Sequence, residues 1–443
     1  MSNFEDFVFV KLKPLETQVS IKFQYNISSD IQRAFNFNRD KNETIKACFK
    51  RMEQNILKAL SKLSANSKKE QASDKNGLDI KILNGDKEVD SSLNHIEAWK
   101  QGTVLKVGTK LFTIIINGPS VSCLKLPKII LVGYSTYPEL ELEFASFEHS
   151  EYYWYRQKSF DENSWDLIHE SFFYTPTNED VGKRLKFKCV PVRDTKRGCE
   201  VEEITKEIVE LSKGILPCEA RHAFTQSYTR GQDIRVVSYN ILADTYVDSD
   251  TGRGILFKYC ADFALKFDYR KNLILKELLG YKADIICLQE VDAKFFKKDL
   301  SLLLKNLDNM EGLYAEKSAN VREGVACFFR KSRFTCLASR IEPLSLLLFN
   351  DLLFLPYQNI LSSNQSLMNN LKERNSVGHF VLLKDELNLG KALLVVNTHL
   401  YFHPNADHIR LLQASIIVIY VQNLIQIYER EVRLIILVSS AVY

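Results

Sequence analysis

Residues 283–292 read ADIICLQEVD. An apolar run from Ile285 to Leu288 has the length and residue types of a buried strand, yet it runs straight into Gln289 and Glu290. Two other segments of the same half of the chain have this form. IRVVSYNIL (234–242) reads as a strand ending at Asn240, and KALLVVNTHL (391–400) as a strand ending at His399. Between and around them lie helical patterns at 269–281, 293–307 and 406–428 and further strand patterns at 324–331, 334–340, 377–385 and 432–438. The first two of those strand patterns are expected to pair with each other, and the third with 391–400. Strands alternating with helices make an α/β domain, expected over residues 232–443. In such sheets the chemistry sits beyond the strand ends, so Asn240, Glu290 and His399 are expected to converge on one crevice.

An amide, a carboxylate and an imidazole suit a hard divalent cation and a phosphate, because Mg²⁺ takes one or two carboxylates and completes its shell with water and substrate oxygens. Taken singly, each residue has a plainer role. Glu290 suits the start of a following helix, Asn240 a turn, and His399 a structural hydrogen bond.

The chain of 443 residues is long enough for two or three domains, and its 45% hydrophobic and 26% charged content is that of a globular protein. A net charge of +4 permits a nucleic-acid partner without arguing for one. Nine cysteines with no CxxC spacing speak against a disulfide framework or structural zinc and favour a reducing compartment. The apolar stretch ASIIVIYVQNLIQIY (414–428) is interrupted by Gln422, Asn423 and Gln426, and is expected to be too short and too polar to span a membrane.

The first half of the chain reads differently. Residues 1–118 alternate apolar and polar positions in short strands, with a helix over 43–63 and a polar, lysine-rich flexible loop at 62–77. Residues 119–213 form a second β region. Trp154, Asp180-x-Gly182 and the inward alternation of Leu185, Phe187 and Cys189 resemble an immunoglobulin-like sandwich without its disulfide. Residues 214–231 read as a linker.

Taken in order, SYNILADTY (238–246), DIICLQEVD (284–292), EGVACFFRKSRF (323–334) and VVNTHLYFHP (395–404) resemble the exonuclease–endonuclease–phosphatase family, closest to its 2',5'-phosphodiesterase branch. AWKQGTVLKVG (98–108) and YTPTNEDVGKRLKFKC (174–189) extend the likeness into the first half, over about residues 78–438. The resemblance implies a four-layer α/β sandwich and a Mg²⁺-dependent phosphodiesterase or 3'-5' exoribonuclease acting on 2',5'-oligoadenylate and poly(A)-type RNA. It implies that Glu290 binds the metal, that Asn240 orders metal and phosphate, that His399 contacts the scissile phosphate, and that Pro404 lines a base pocket. It also implies a mitochondrial matrix location, whereas the acidic start of the chain, with no presequence, points to the cytoplasm.

The family's pattern continues with Gly-Asp-Phe-Asn after a strand like 432–438 and with a later Ser-Asp-His. Here that strand runs into SSAVY (439–443). The expectation is therefore an incomplete α/β domain, lacking most of its second sheet and its water-activating acid and left with little activity. Asp244, Asp248, His403 and His408 are the nearby titratable residues, with nothing in the sequence to bring them to the same point. The competing expectation is a non-catalytic module that binds RNA or protein.

Overall fold

The structure, a computed structural model, describes residues 7–27, 31–64, 78–158, 164–212, 214, 216–250, 252–317, 321–388, 390–428 and 433–441. It contains two compact units, Met1–Ile130 with Thr136–Val209, and Leu131–Ser135 with Glu210–Tyr443.

The first unit opens with β1 (Phe7–Lys11), β2 (Gln18–Asn26), β3 (Gln32–Asp40), helix α1 (Ile45–Ser64), β4 (Ile80–Asn84), β5 (Lys87–Glu88), β6 (Val104–Val107) and β7 (Lys110–Ile116). These strands form one seven-stranded sheet in the order β3-β2-β1-β7-β6-β4-β5, with β1 and β7 parallel. Strand alternation turns Val8, Val10, Val19, Ile21 and Phe23 to one face. Ile45, Cys48, Phe49, Met52, Ile56 and Ala59, at helical spacing on α1, share a core with that face. Helix α1 takes in the first residues of the loop expected at 62–77; the remainder, 65–77, lies outside the described residues.

Next come β8 (Ser120–Lys125), β9 (Glu139–Glu143), β10 (Ser146–Gln157), β11 (Trp165–His169), β12 (Leu185–Arg193), β13 (Lys196–Arg197) and β14 (Val201–Ile204). Trp154 is fully buried on β10, edge-on to Phe187 of β12 at 4.9 Å. The Asp180 carboxylate is buried and accepts hydrogen bonds from the Tyr174 hydroxyl (2.6 Å) and the Thr177 backbone N–H (2.7 Å). The region differs from the expected sandwich. Strands β10 to β14 form one five-stranded sheet, and among the described residues its companion is only the two-stranded β8–β9 ribbon. The first unit runs through the expected boundary at 118/119. The Lys11 and Lys13 ammonium groups both reach Glu143 of β9, at 2.7 and 2.8 Å, and tie the two β regions into one. All nine cysteines are free thiols.

The second unit contains helix α2 (Pro217–His222), β15 (Val236–Asn240), α3 (Phe267–Gly280), β16 (Ile285–Asp292), α4 (Ser301–Asp308), β17 (Met310–Glu316), β18 (Glu323–Arg330), β19 (Phe334–Pro343), α5 (Leu344–Asn350), α6 (Gln365–Lys372), β20 (Val377–Asp385), β21 (Lys391–His399), α7 (Asp407–Tyr428) and β22 (Arg433–Ala441). Two four-stranded sheets, β15-β16-β18-β17 and β19-β20-β21-β22, share an apolar core. Ile285, Cys287, Cys327 and Phe329 of the first meet Phe334, Val381, Leu383, Leu393 and Val395 of the second. The other face of the second sheet, with Phe380, Leu382, Leu394 and Val396, packs with α5 and α7. The second sheet, expected to be mostly absent, is thus as wide as the first. Its edge is β22, where Ile435, Ile436 and Val438 are exposed.

Three further expectations are corrected. Segments 324–331 and 334–340 do not pair with each other: β18 joins the first sheet and β19 the second. The short connection lacks the Asn-Gly or Gly residues of a tight hairpin, and Arg333 in it points inward. Its guanidinium, 1% exposed, donates to the Asp233 and Gly231 carbonyls, the Thr229 hydroxyl and the Asp385 carboxylate, and so holds the crossing between sheets. Residues 214–231, expected as a linker, are fastened to the second unit: Arg221 pairs with Glu277 at 2.7 Å, and Tyr228 and Thr229 donate to the buried carboxylates of Asp308 and Asp284. Helix α7, expected to be too short and too polar, is by length and mean hydropathy (1.5) long and apolar enough to cross a membrane. Here Ile409, Ile416, Ile417, Tyr420, Val421 and Leu424 are buried in the core shared with β20 and β21.

Candidate functional site

The structure brings Asn240, Glu290 and His399 together. The ladder between β16 and β18 is interrupted between Leu288 and Val291, and within that interruption Glu290 takes a left-handed backbone conformation, φ +54°. A glutamate with positive φ is uncommon and marks a position held by its surroundings. Those surroundings are visible. The fully buried carboxylate accepts a hydrogen bond from the Asn240 amide on one oxygen (2.7 Å) and from the Ala243 N–H on the other (3.2 Å). His399 Nε2 lies 3.8 Å from the first of these oxygens. Asn240 also acts as the turn residue its type suggests, because its side-chain oxygen accepts from Leu242 N at 3.0 Å. That turn aims the Ala243 N–H at Glu290.

Burial pushes the His399 imidazole down to about 4; the Lys317 charge adds to the effect and the Glu290 charge opposes it. At neutral pH His399 is therefore an uncharged ring, able to donate one hydrogen bond and accept another. Pro404 lies in the loop after β21, where its carbonyl accepts from Arg410 at 3.1 Å. Of the nearby titratable residues, Asp244 joins the surroundings of the site through its N–H, which donates to Asp292 at 3.0 Å. Asp248 instead pairs with Arg253.

A polar cluster lies beneath Glu290. The Asn397 amide donates to the Leu288 carbonyl (3.1 Å) and the Ala326 carbonyl (2.9 Å), on the two strands whose ladder is interrupted. The Gln289 amide donates to Asn397 Oδ1 (2.8 Å) and to the Ser439 hydroxyl (3.1 Å), and Ser439 meets Ser238 at 2.7 Å. Arg270 of α3 is also part of the site. It donates to the carbonyls of Ile241 and Leu242 and so braces the turn after β15. The available signal was two polar residues, Gln289 and Asn397, in otherwise apolar strands. Its weakness is that their partners lie 71 to 150 residues apart.

Among the described residues no group of three or more His, Cys, Asp or Glu side chains is arranged to hold a metal ion. Glu290 nonetheless fits a single hard cation. Its carboxylate is the hard oxygen donor such an ion takes, held in direction by Asn240 and the Ala243 N–H. Mg²⁺ commonly uses one or two carboxylates and fills its remaining positions with water and phosphate oxygens.

The family described as "2',5'-phosphodiesterase 12-like, N-terminal domain" matches residues 118–210. The 2',5'-phosphodiesterase 12 of Homo sapiens is 32% identical over 450 residues, covering 94% of this chain and 72% of that protein. The CCR4-Not complex 3'-5'-exoribonuclease subunit Ccr4 of Schizosaccharomyces pombe is 30% identical over 196 residues, 41% of this chain and 26% of that protein. Among solved structures, the human Nocturnin catalytic domain with bound sulfate anion is similar over 46% of this chain and 63% of that chain, at 25% identity and a TM-score of 0.33. These relatives place the chain in the exonuclease–endonuclease–phosphatase class of nucleases and phosphodiesterases. Within that class, it belongs to the 2',5'-phosphodiesterase 12 family.

Proposed function

We propose that the protein hydrolyses internucleotide phosphodiester bonds of adenylate-rich oligonucleotides, 2',5'-oligoadenylate and poly(A)-type RNA, with Mg²⁺ held by Glu290. The observation that carries this reading is the Asn240–Glu290–His399 cluster. It is a buried carboxylate fixed by two hydrogen bonds beside an uncharged imidazole, at neighbouring strand ends, in a chain of this family. Bound Mg²⁺ supplies charge compensation for the phosphoryl oxygens. The chain's own residues do the positioning: Asn240 and Ala243 N–H set the direction of the Glu290 carboxylate, and the neutral His399 ring donates a hydrogen bond to a non-bridging phosphate oxygen. Such a donor, already in place, needs no reorganisation as charge develops.

The test is release of AMP from 2',5'-linked adenylate trimer by the full chain, with Mg²⁺ or with EDTA, beside Glu290→Gln. Release that depends on Mg²⁺ and falls by about 10²-fold or more in the variant is the expected result. Equal release by both chains overturns the assignment. Oligoadenylate binding without turnover by either favours a binding module.

A further inference from the structure

The seven-stranded sheet of the first unit ends in β5 on one side and β3 on the other. Strand β5 is two residues long, Lys87 and Glu88, the short and charged form that keeps an edge from pairing. Strand β3 lacks these protections over its middle. It runs nine residues, pairs with β2 without a bulge, holds no proline, and its central AFNFN (34–38) is uncharged. Among the described residues β2 is its only partner strand.

Register shows which backbone groups this edge leaves open. The Lys41 N–H donates to the Thr17 carbonyl (3.0 Å) and the Ile27 N–H to the Ile31 carbonyl (2.8 Å), bracketing the β2–β3 pair. Bonded residues alternate along an antiparallel ladder, so Arg33, Phe35, Phe37 and Arg39 turn their backbone groups to β2. Ala34, Asn36 and Asn38 turn theirs outward, and all three residues are exposed.

A cavity of about 420 Å³ lies along this edge, lined by residues 33–37 of β3 and by Asn55, Lys58 and Ala59 of α1. A strand edge with a helix beside it suits an extended peptide that adds as a further strand. Main-chain hydrogen bonds then give affinity and alternate side chains give specificity. At about 3.3 Å per residue, the five lining residues of β3 match about five residues of such a peptide. The walls set its charge. Arg33 and Lys58 line the cavity and no lining residue is acidic. Lys50 and Arg51 are exposed on α1 one turn before Asn55. Stacked bases suit the groove less well, because the Phe35 and Phe37 rings are 7% and 5% exposed and offer no free face. A second copy suits it less well too. Two β3 edges paired antiparallel about Asn36 set Arg33 against Arg39, and like charges placed opposite destabilise a pair. We propose that the groove between β3 and α1 takes an extended acidic segment of another protein, added to the sheet against β3, with its carboxylates on Arg33 and Lys58.

The test is fluorescence anisotropy of the labelled heptapeptide Thr-Glu-Val-Glu-Val-Glu-Thr titrated with the full chain, beside the same peptide with Lys for Glu. The acidic peptide is expected to bind about tenfold more tightly than the basic one. Asn36→Pro deletes one outward N–H and leaves the ladder to β2 intact, and is expected to weaken acidic-peptide binding about tenfold. Lys58→Glu is expected to weaken the acidic peptide by about as much and to strengthen the basic one. Hydrogen exchange over residues 33–40 should slow when the acidic peptide is added to the parent, and should not in Asn36→Pro. Should Asn36→Pro fail to fold by its melting curve, Lys58→Glu decides. No binding by the parent up to about 1 mM peptide overturns the proposal, as do equal affinities for the two peptides or unchanged binding in both variants. Displacement of the peptide by an adenylate hexamer overturns it in favour of nucleic acid. A dimer of the full chain that Asn36→Pro abolishes overturns it in favour of a second copy.

Discussion

The polar cluster beneath Glu290 makes a quantitative demand on stability. Asn397→Leu keeps the branching and the number of side-chain heavy atoms but removes both donors from the carbonyls of Leu288 and Ala326, which are buried between the sheets. Gln289 loses Asn397 as a partner and keeps Ser439. Leu288 and Ala326 face each other in the ladder, so the loss is that of two buried hydrogen bonds, at about 1.5 kcal/mol each roughly 3 kcal/mol. All three tryptophans, Trp99, Trp154 and Trp165, lie in the first unit, so tryptophan fluorescence is blind to this change. Hydrogen exchange followed on peptides covering 284–292 and 391–399 reads it directly, because core strands exchange through large openings. The expected outcome is exchange faster by about 10²-fold in those peptides, at roughly 1.4 kcal/mol per factor of ten, with the first unit unchanged. The double variant Gln289→Leu, Asn397→Leu should lose less than the sum of the two singles, by about 1–3 kcal/mol, because each single leaves the other partner stranded. Acceleration below tenfold in Asn397→Leu would refute the reasoning.

Arg333→Leu takes the donor from two backbone carbonyls and one of three donors from the Asp385 carboxylate, which keeps Asn388 and the Leu387 N–H, and should cost about 2–4 kcal/mol in the melting of the second unit. His95 and His379 are both pushed down to about 4 by burial, against about 6.5 for a free histidine. Between those values the unfolded chain binds more protons than the folded one. Stability is therefore complete above about pH 6.5 and declines as pH falls toward 4, by a total of order 3 kcal/mol for each histidine; melting temperatures across this range, with and without His379→Gln, measure it. Tyr174→Phe removes a hydroxyl donor from the buried Asp180 carboxylate and should lower first-unit stability by about 1.5–3 kcal/mol, followed by tryptophan fluorescence in urea.

Much of the second unit was written locally. Apolar runs marked β15, β16, β20 and β21, and the polar residue at each strand end marked Asn240, Glu290 and His399, because both signals depend on neighbours in sequence. Strand partnership was not local. The patterns of 324–331 and 334–340 suit a hairpin equally well, and what separates them is a buried guanidinium whose partners at 231, 233 and 385 no periodicity reveals. The 214–231 segment carries linker-like Pro and Gly, yet its Tyr228 and Thr229 hydroxyls meet carboxylates 80 and 55 residues away. In α7, the polar Gln422, Asn423 and Gln426 suggested a less apolar helix than its mean hydropathy shows.

The site's most informative feature is the conflict between its backbone and ordinary sheet geometry. A left-handed glutamate costs roughly 1–2 kcal/mol, and the interrupted ladder between β16 and β18 gives up backbone pairing as well. That arrangement persists only if something else satisfies the groups it exposes. Asn397 does so from the opposite sheet, by way of the Leu288 and Ala326 carbonyls. Asn240 does so from the neighbouring strand, by way of the carboxylate itself. The two asparagines therefore act on opposite ends of one strained element, one on its backbone and one on its side chain. The direction of the Glu290 carboxylate is thus a property of the paired sheets, and a substitution at Asn397 should disturb that direction as surely as one at Asn240.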